Sequence, residues 1–202
     1  MQEDKRNPGT EIGVSSDARI RIKGRHKAVI KKKMPDGTIE ITETPWEDNR
    51  VVDTAAVLFA GLLKKDTSYT DWGILQFACG EGLAAWDTGT PTPSMSQTTL
   101  VTEFFRKAPD YVAYMDVNPT PPPDYLPAVG QTHIIETRMT YEFTDGPASP
   151  GKWIREQALF GGDATATTDS GIAFNFFNHN KIFKDDSIEL QLFFVHEISI
   201  IP

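Results

Sequence analysis

The sequence predicts a mainly β protein, an antiparallel β-sandwich of about eight strands with one packed α-helix and an extended N-terminal arm. The last third of the chain alternates apolar and polar residues over long stretches, which is typical of half-buried antiparallel strands. Only residues 49–65 show a helical apolar period, and the candidate strands follow one another without helices between them. We therefore expect residues 1–18 to form an arm and residues 19–202 to form a single domain.

The charge of the chain is unevenly distributed. Its formal net charge is -8, yet residues 1–33 hold many more Lys and Arg than Asp and Glu. Three interpretations are open: a solvated edge strand guarded by lysines, an arm that docks on an acidic protein surface, or a nucleic-acid contact. No aromatic residues are interleaved with the cations, so nucleic acid is not expected as a partner. The candidate contact residues here are Arg19, Arg21, Lys31, Lys32 and Lys33.

The first structured elements are a β-hairpin and a helix. Residues 27–44 alternate in character around Pro35-Asp36-Gly37, a sequence that favours a tight turn. In residues 49–65 apolar residues recur at helical spacing, and Asn49 or Asp53 is a candidate N-cap. These patterns predict strand, turn, strand and then the only helix.

The middle of the chain alternates strands with loops. Residues 72–82 and 111–117 read as strands, and residues 83–108 read mainly as loop with a short element at the end. Residues 118–131 contain five prolines, which favours an extended exposed loop.

Strands follow one another in the last third of the chain. Alternation is clearest in residues 132–143 and 187–201, which place His196 on an apolar face. Residues 153–160 read as a strand with Trp153 facing the core, and the strand ends at Gly161-Gly162, a pair that allows a turn. Residues 171–184 read as two further strands separated by a turn at Asn178-His179-Asn180.

Motifs for catalysis or metal binding are not evident. Cys79 is the only cysteine and precedes Gly80 in an apolar strand, where a thiol is expected to behave as a small hydrophobe. The two carboxylates of the glycine-rich stretch, Asp163 and Asp169, are too few for the several carboxylates of a calcium site. Gly80-Glu81-Gly82 lacks the lysine of a phosphate-binding loop. We therefore expect no catalytic residues, no cofactor and no metal, and the chain contains no apolar run long enough for a membrane span.

Three segments form an ordered set of motifs. The first contains Phe77, Gly80 and Gly82; the second contains Thr98, Leu100, Glu103, Arg106 and Lys107; the third contains Arg155, Glu156, Leu159, Phe160, Gly161, Gly162 and Ala164. This order resembles structural proteins of the tail, collar and baseplate of tailed bacteriophages, which also occur in phage-derived contractile injection particles. The resemblance spans about residues 49–201.

The resemblance implies a non-catalytic structural subunit of a virion or phage-like particle, assembled in the cytoplasm of the bacterial host. Its partners would be other copies of itself and neighbouring particle proteins, with no membrane. Further candidate contact residues are Arg155, Glu156 and Asp163, beside the glycine-rich turn. The alternative is a carbohydrate-binding β-sandwich for host recognition, with a glycan as partner. Sugar-stacking side chains would then come from Trp46, Trp72, Trp86 and Trp153.

Overall fold

A computed structural model describes residues 19–117, 126–145 and 151–201 of the chain. It contains ten antiparallel strands and one α-helix among these residues. The strands are β1 (Arg19–Lys33), β2 (Ile39–Glu43), β3 (Glu47–Val51), β4 (Ile74–Gly80), β5 (Glu103–Lys107), β6 (Tyr111–Tyr114), β7 (Ile134–Tyr141), β8 (Lys152–Gly161), β9 (Ile172–Lys184) and β10 (Ile188–Ile201). The helix α1 is Ala55–Lys64, and a short 3-10 turn covers Ala84–Thr88. The predicted arm, residues 1–18, lies outside the described residues.

The strands form two sheets that face each other and share β3. Sheet A has the order β2 beside β1, then β10, β7 and β6, and sheet B has the order β5, β4, β8, β9. Strand β3 pairs with β1 through Gly24 to His26, and with β9 through Asn175 and Phe176. At the opposite side the sheets meet through side chains, where the rings of Phe105 and Tyr141 stack 3.8 Å apart.

The main core fills the space between the two sheets. Sheet A contributes Met139, Leu192 and Phe194, and sheet B contributes Phe77 and Leu159, all with no exposed surface. These residues occupy alternate positions of their strands, as expected where one face of each sheet is buried. The predicted mainly β fold with one helix is confirmed.

The outer face of sheet B is also covered. A second apolar cluster lies there, in which Leu100 from the long segment between β4 and β5 packs with Ala158, Phe160 and Phe176. Strand β8 is therefore buried on both faces from Ile154 to Gly161. Because both of its faces are covered, β8 does not show the alternating burial of β7 or β10.

The helix is shorter than predicted, because residues 47–51 form β3 instead of the first helical turns. Neither Asn49 nor Asp53 caps it; the N-cap residue is Thr54, whose hydroxyl donates to the Ala173 carbonyl at 2.6 Å. The helix ends at Lys64, and Lys65 adopts the left-handed conformation with φ 52°. The amides of Lys65 and Asp66 then bond to Leu62 and Gly61, which closes the last turn.

Two further predictions are corrected by the structure. Strand β9 runs unbroken from Ile172 to Lys184, so the predicted turn at Asn178-His179-Asn180 is wrong. The side chain of Trp153, expected in the core, is 38% exposed. Among the described residues, the single helix is too short to reach across a lipid bilayer.

The core predicts where truncation destabilises the fold. Leu192→Ala removes a fully buried side chain between the sheets, and we expect it to lower the free energy of unfolding by about 2–5 kcal/mol. The matched control Leu83→Ala changes a leucine that is 49% exposed, and a loss of no more than about 1 kcal/mol is expected. Urea denaturation measures both variants, and equal losses would contradict this account of the core.

Candidate functional site

The most unusual surface of the molecule is an apolar helix that is only partly covered. From Ala55 to Leu63 every residue of α1 is apolar or glycine, yet only Ala55, Leu58 and Gly61 are buried. A helix that is apolar on all sides is normally surrounded by protein. Leu63 shares a groove with Ile20 of β1, and Leu62 shares one with Ile198 of β10. We call the exposed set the helix surface; it comprises Val57 (50% exposed), Leu62 (60%), Leu63 (81%), Ile20 (67%) and Ile200 (79%).

Two apolar grooves flank the helix and extend this surface. One, of about 420 Å³, lies between α1 and the strands β6 and β7, and Trp72, Tyr114 and Ile198 line it. The other, of about 620 Å³, lies between α1 and the start of β1 and is lined by Ile22 and Leu63. The side chain of Phe59 belongs to both grooves, so the helix stands between them. Contiguous apolar surfaces of this kind mark interaction sites.

The basic residues predicted at the start of the domain lie on β1. The side chain of Arg21 is exposed, and the backbone of Arg19 pairs with Ile201. Lys31 forms an ion pair with Glu189 at 2.7 Å. Lys32 is exposed, and the ammonium of Lys33 lies 3.9 Å from the ring centre of Phe143.

Arg155 has its partners within the chain. It binds both carboxylate oxygens of Asp87, at 2.8 and 3.2 Å, and donates to the Glu81 carbonyl at 3.1 Å. Lys181 binds the same carboxylate at 2.7 Å. Hydrogen bonds from Arg155 and Lys181 hold the pKa of Asp87 well below its usual range. This cluster anchors the 3-10 turn of the long segment against β8 and β9.

Glu156 is fully buried and acts inside the fold. Its Oε1 accepts hydrogen bonds from the amides of Gly82 (3.1 Å) and Thr102 (2.8 Å), and its Oε2 accepts one from Val101 (3.0 Å). A Cβ on Gly80 would lie 2.3 Å from Oε1, so glycine is needed beside the carboxylate. The single side chain thus fixes both ends of the segment that covers sheet B.

Asp163 also serves the fold. Its backbone is left-handed, with φ 57°, after the turn at Gly162. Its carboxylate accepts hydrogen bonds from the amides of Thr70 and Asp71, at 2.8 and 2.7 Å. Asp163 therefore ties the loop after α1 to the end of β8.

A row of polar side chains crosses the interior between the sheets. His26 of β1 donates from Nε2 to Oε1 of Gln157 at 2.8 Å, and Nε2 of Gln157 donates to Nε2 of His179 at 2.9 Å. Nδ1 of His179 then donates to the Asn180 carbonyl at 2.7 Å. The amide group of Gln157 dictates these roles, since its oxygen only accepts and its nitrogen only donates. Because Nε2 of His179 accepts, the imidazole of His179 is neutral.

A second histidine contact lies near this row. Nε2 of His196 accepts from Nδ2 of Asn175 at 3.0 Å and from Nδ2 of Asn49 at 3.3 Å. Nδ1 of His196 is buried without a hydrogen-bond partner among the described residues, so only one of its two ring nitrogens is paired. Burial lowers the pKa of His196 to about 3 and that of His179 to about 4. Burial, and then the neighbouring His179, lower the pKa of His26.

The tryptophans predicted to stack on sugars pack against protein groups. The ring of Trp72 lies edge-on to Tyr69, and its Nε1 donates to the Asp66 carbonyl at 3.0 Å. Trp153 is the most exposed, and the ammonium of Lys181 lies 4.8 Å from its ring centre. Trp46 and Trp86 are half-buried.

The sequence contains signals for some of these features. The apolar run of α1 was visible in the sequence, as were the polar residues Gln157 and Asn175 within strands of mostly apolar neighbours. The contacts of these residues were not visible in the sequence, because Gln157 bonds to His26, which is 131 positions away. Within residues 19–117, 126–145 and 151–201, no group of His, Cys, Asp and Glu is arranged to hold a metal ion. Burial raises the pKa of the Cys79 thiol, which favours its protonated form.

The chain matches no model of a protein family, and a search of curated proteins finds no match either.

Glu156→Gln tests the buried carboxylate. The amide nitrogen of the new side chain would face a backbone N–H, so we expect a loss of about 2–3 kcal/mol and faster hydrogen exchange at Val101 and Thr102. Glu81→Gln is the matched control, because its pair with Lys152 is partly exposed and contributes about 0–1 kcal/mol. Unchanged protection of Val101 in Glu156→Gln would refute the role assigned to this carboxylate.

The buried histidines predict acid sensitivity. Below pH 6.5 the unfolded chain binds protons that folded His179 does not bind until about pH 4, so stability falls as the pH falls through this window. We expect His179 alone to account for up to about 3 kcal/mol. His179→Gln should therefore flatten the dependence of the unfolding free energy on pH. His133→Gln, at an exposed residue, should leave it unchanged, and equal slopes in all three proteins would rule out the prediction.

Proposed function

We propose that this chain is a non-catalytic structural subunit of a phage virion or phage-like particle, in the tail, collar or baseplate, that acts through contacts between subunits. The observation that carries the proposal is the helix surface, where Leu62, Leu63 and Ile20 are more than half exposed. An isolated soluble protein rarely leaves so many large apolar side chains together in water. A neighbouring subunit that covers them would remove this cost.

The motif residues that resemble phage structural proteins support the proposal in another way. Gly80 and Gly82 lie beside the carboxylate of Glu156, which is more than 70 positions away in the sequence. Arg106 donates two hydrogen bonds of 2.7 Å to the carboxylate of Glu103. The Glu156 bonds fix both ends of the long segment over sheet B, and the Glu103–Arg106 pair lies within β5 of that sheet. A motif set with that role suits a rigid building block, because rigid partners lose little entropy when they associate.

Subunit contacts of this kind require the chain to associate. We expect the purified protein to form oligomers in sedimentation velocity experiments, and Leu63→Lys to weaken association about 10-fold or more, since a buried leucine contributes about 1.5–3 kcal/mol. Thr67→Lys is the matched control, because it adds the same charge at an exposed polar site just beyond the helix.

Two results would contradict the proposal. One is a chain that stays monomeric at high concentration, and the other is its absence from purified particles when their proteins are identified by mass spectrometry. If Leu63→Lys associates as strongly as the unmodified chain, the helix surface is not the contact between subunits.

A further inference from the structure

Strand β2 has an edge that no other described strand occupies. All five of its residues, Ile39–Glu43, are exposed, and among the described strands it pairs with β1 alone. Its sequence, Ile-Glu-Ile-Thr-Glu, has high β-propensity and lacks the lysine or proline that commonly protects an edge. The edge of β6 differs, because residues 126–128 lie along its end through bonds such as Ala128 N to Tyr114 O at 2.9 Å.

The hairpin geometry shows which backbone groups of β2 point outward. Thr44 donates to the Ala28 carbonyl and Thr38 accepts from the Met34 amide, both at 2.9 Å. Even-numbered residues of this strand therefore face β1, because the direction of the backbone groups alternates along an antiparallel ladder. The N–H and C=O groups of Ile39, Ile41 and Glu43 point away from the molecule.

We propose that β2 pairs with β2 of a second copy of this chain, antiparallel and centred on Ile41. This contact rests on the proposed function, and it names one joint between subunits. In this register Ile41 lies opposite Ile41, and Ile39 lies opposite Glu43 in both directions. All six outward backbone groups of each strand then have partners, which makes six hydrogen bonds across the joint.

Side-chain chemistry agrees with this register. Glu40 lies opposite Thr42, so no two carboxylates face each other, and the pair of Ile41 side chains is a favourable cross-strand contact. Ile41 is 59% exposed and Ile39 is 52% exposed in the single chain, so both gain cover. On the face of the hairpin that carries Ile41, the nearest lysine is Lys31, and it already forms an ion pair with Glu189. The contact is small, and it suits a joint that a particle repeats many times.

Disulfide crosslinking tests the pairing and its register. Cys79 is fully buried, so an introduced cysteine is the only accessible thiol of the described residues. In the proposed joint the Cα atoms of two Ile41 residues lie ~5.5 Å apart, within disulfide reach. We expect Ile41→Cys to be recovered as a disulfide dimer after mild oxidation. Ile39→Cys alone should stay monomeric, since its copies lie roughly 14 Å apart along the strands. A mixture of Ile39→Cys and Glu43→Cys should crosslink.

Ile41→Pro supplies a test without cysteine. It removes an outward N–H and leaves the bonds to β1 intact. The variant should therefore fold but lose the β2 contact. Its thermal melting temperature checks that it folds. Ile41→Val, which keeps the N–H and the branched side chain, should associate like the original chain.

The outcomes separate this joint from the proposed function. Failure of Ile41→Cys to crosslink while the unmodified chain still associates would overturn the β2 joint and leave the proposed function standing. Failure to crosslink in a chain that is also monomeric would overturn both. Efficient crosslinking of Ile39→Cys with itself would overturn the register. If a strand of another protein were the natural occupant, Ile41→Cys would form no dimer with itself, which also overturns the proposal.

Discussion

Strand β3 carries the hydrogen bonds on which the arrangement of the two sheets depends. It pairs with β1 over three residue pairs and with β9 over two, so a five-residue strand belongs to both sheets. The side chain of Asn49 lies directly over Gly24, where an added Cβ would be 1.7 Å from Oδ1. The two sheets diverge from this point, and the row of buried histidines and amides lies between them.

This shared strand is also the part of the fold that the sequence did not reveal. The residues of β3, Glu-Asp-Asn-Arg-Val, are mostly polar and show no alternation, and the apolar residues after them repeat at helical spacing. The helix was therefore predicted to begin too early. Strands β7 and β10 were predictable because their apolar residues alternate along the sequence and so mark the face that packs in the main core.

The candidate site was less predictable than the fold. Arg155 and Glu156 have the composition of a surface pair, and their partners in the chain lie 68 positions away for Asp87 and 55 for Val101. His179 stands between two asparagines, a local sequence typical of a turn, but the bond to Gln157 across the strand pair holds it in β9. At each of these positions, tertiary contacts override the conformation that the local sequence favours. The apolar run of α1 predicted a helix correctly, but the run alone does not tell which of its sides remain exposed.

The molecule buries several polar side chains and leaves several large apolar side chains exposed. Its buried carboxylate and imidazoles are held by specific hydrogen bonds, which fix geometry, whereas its exposed leucines have no directional requirement. The interior therefore specifies shape, and in the proposed contact between subunits the surface would supply attraction that tolerates small changes of angle.

In the proposed role as a particle subunit, the exposed leucines would also set a time limit on the free chain. Newly made copies would carry the uncovered helix until a neighbouring subunit covers it. Assembly and aggregation both accelerate with concentration, so they would compete for the same molecules. Under the proposed function, production of this chain would then have to match the supply of its neighbours, because a surplus made early would be lost to aggregation before it could assemble.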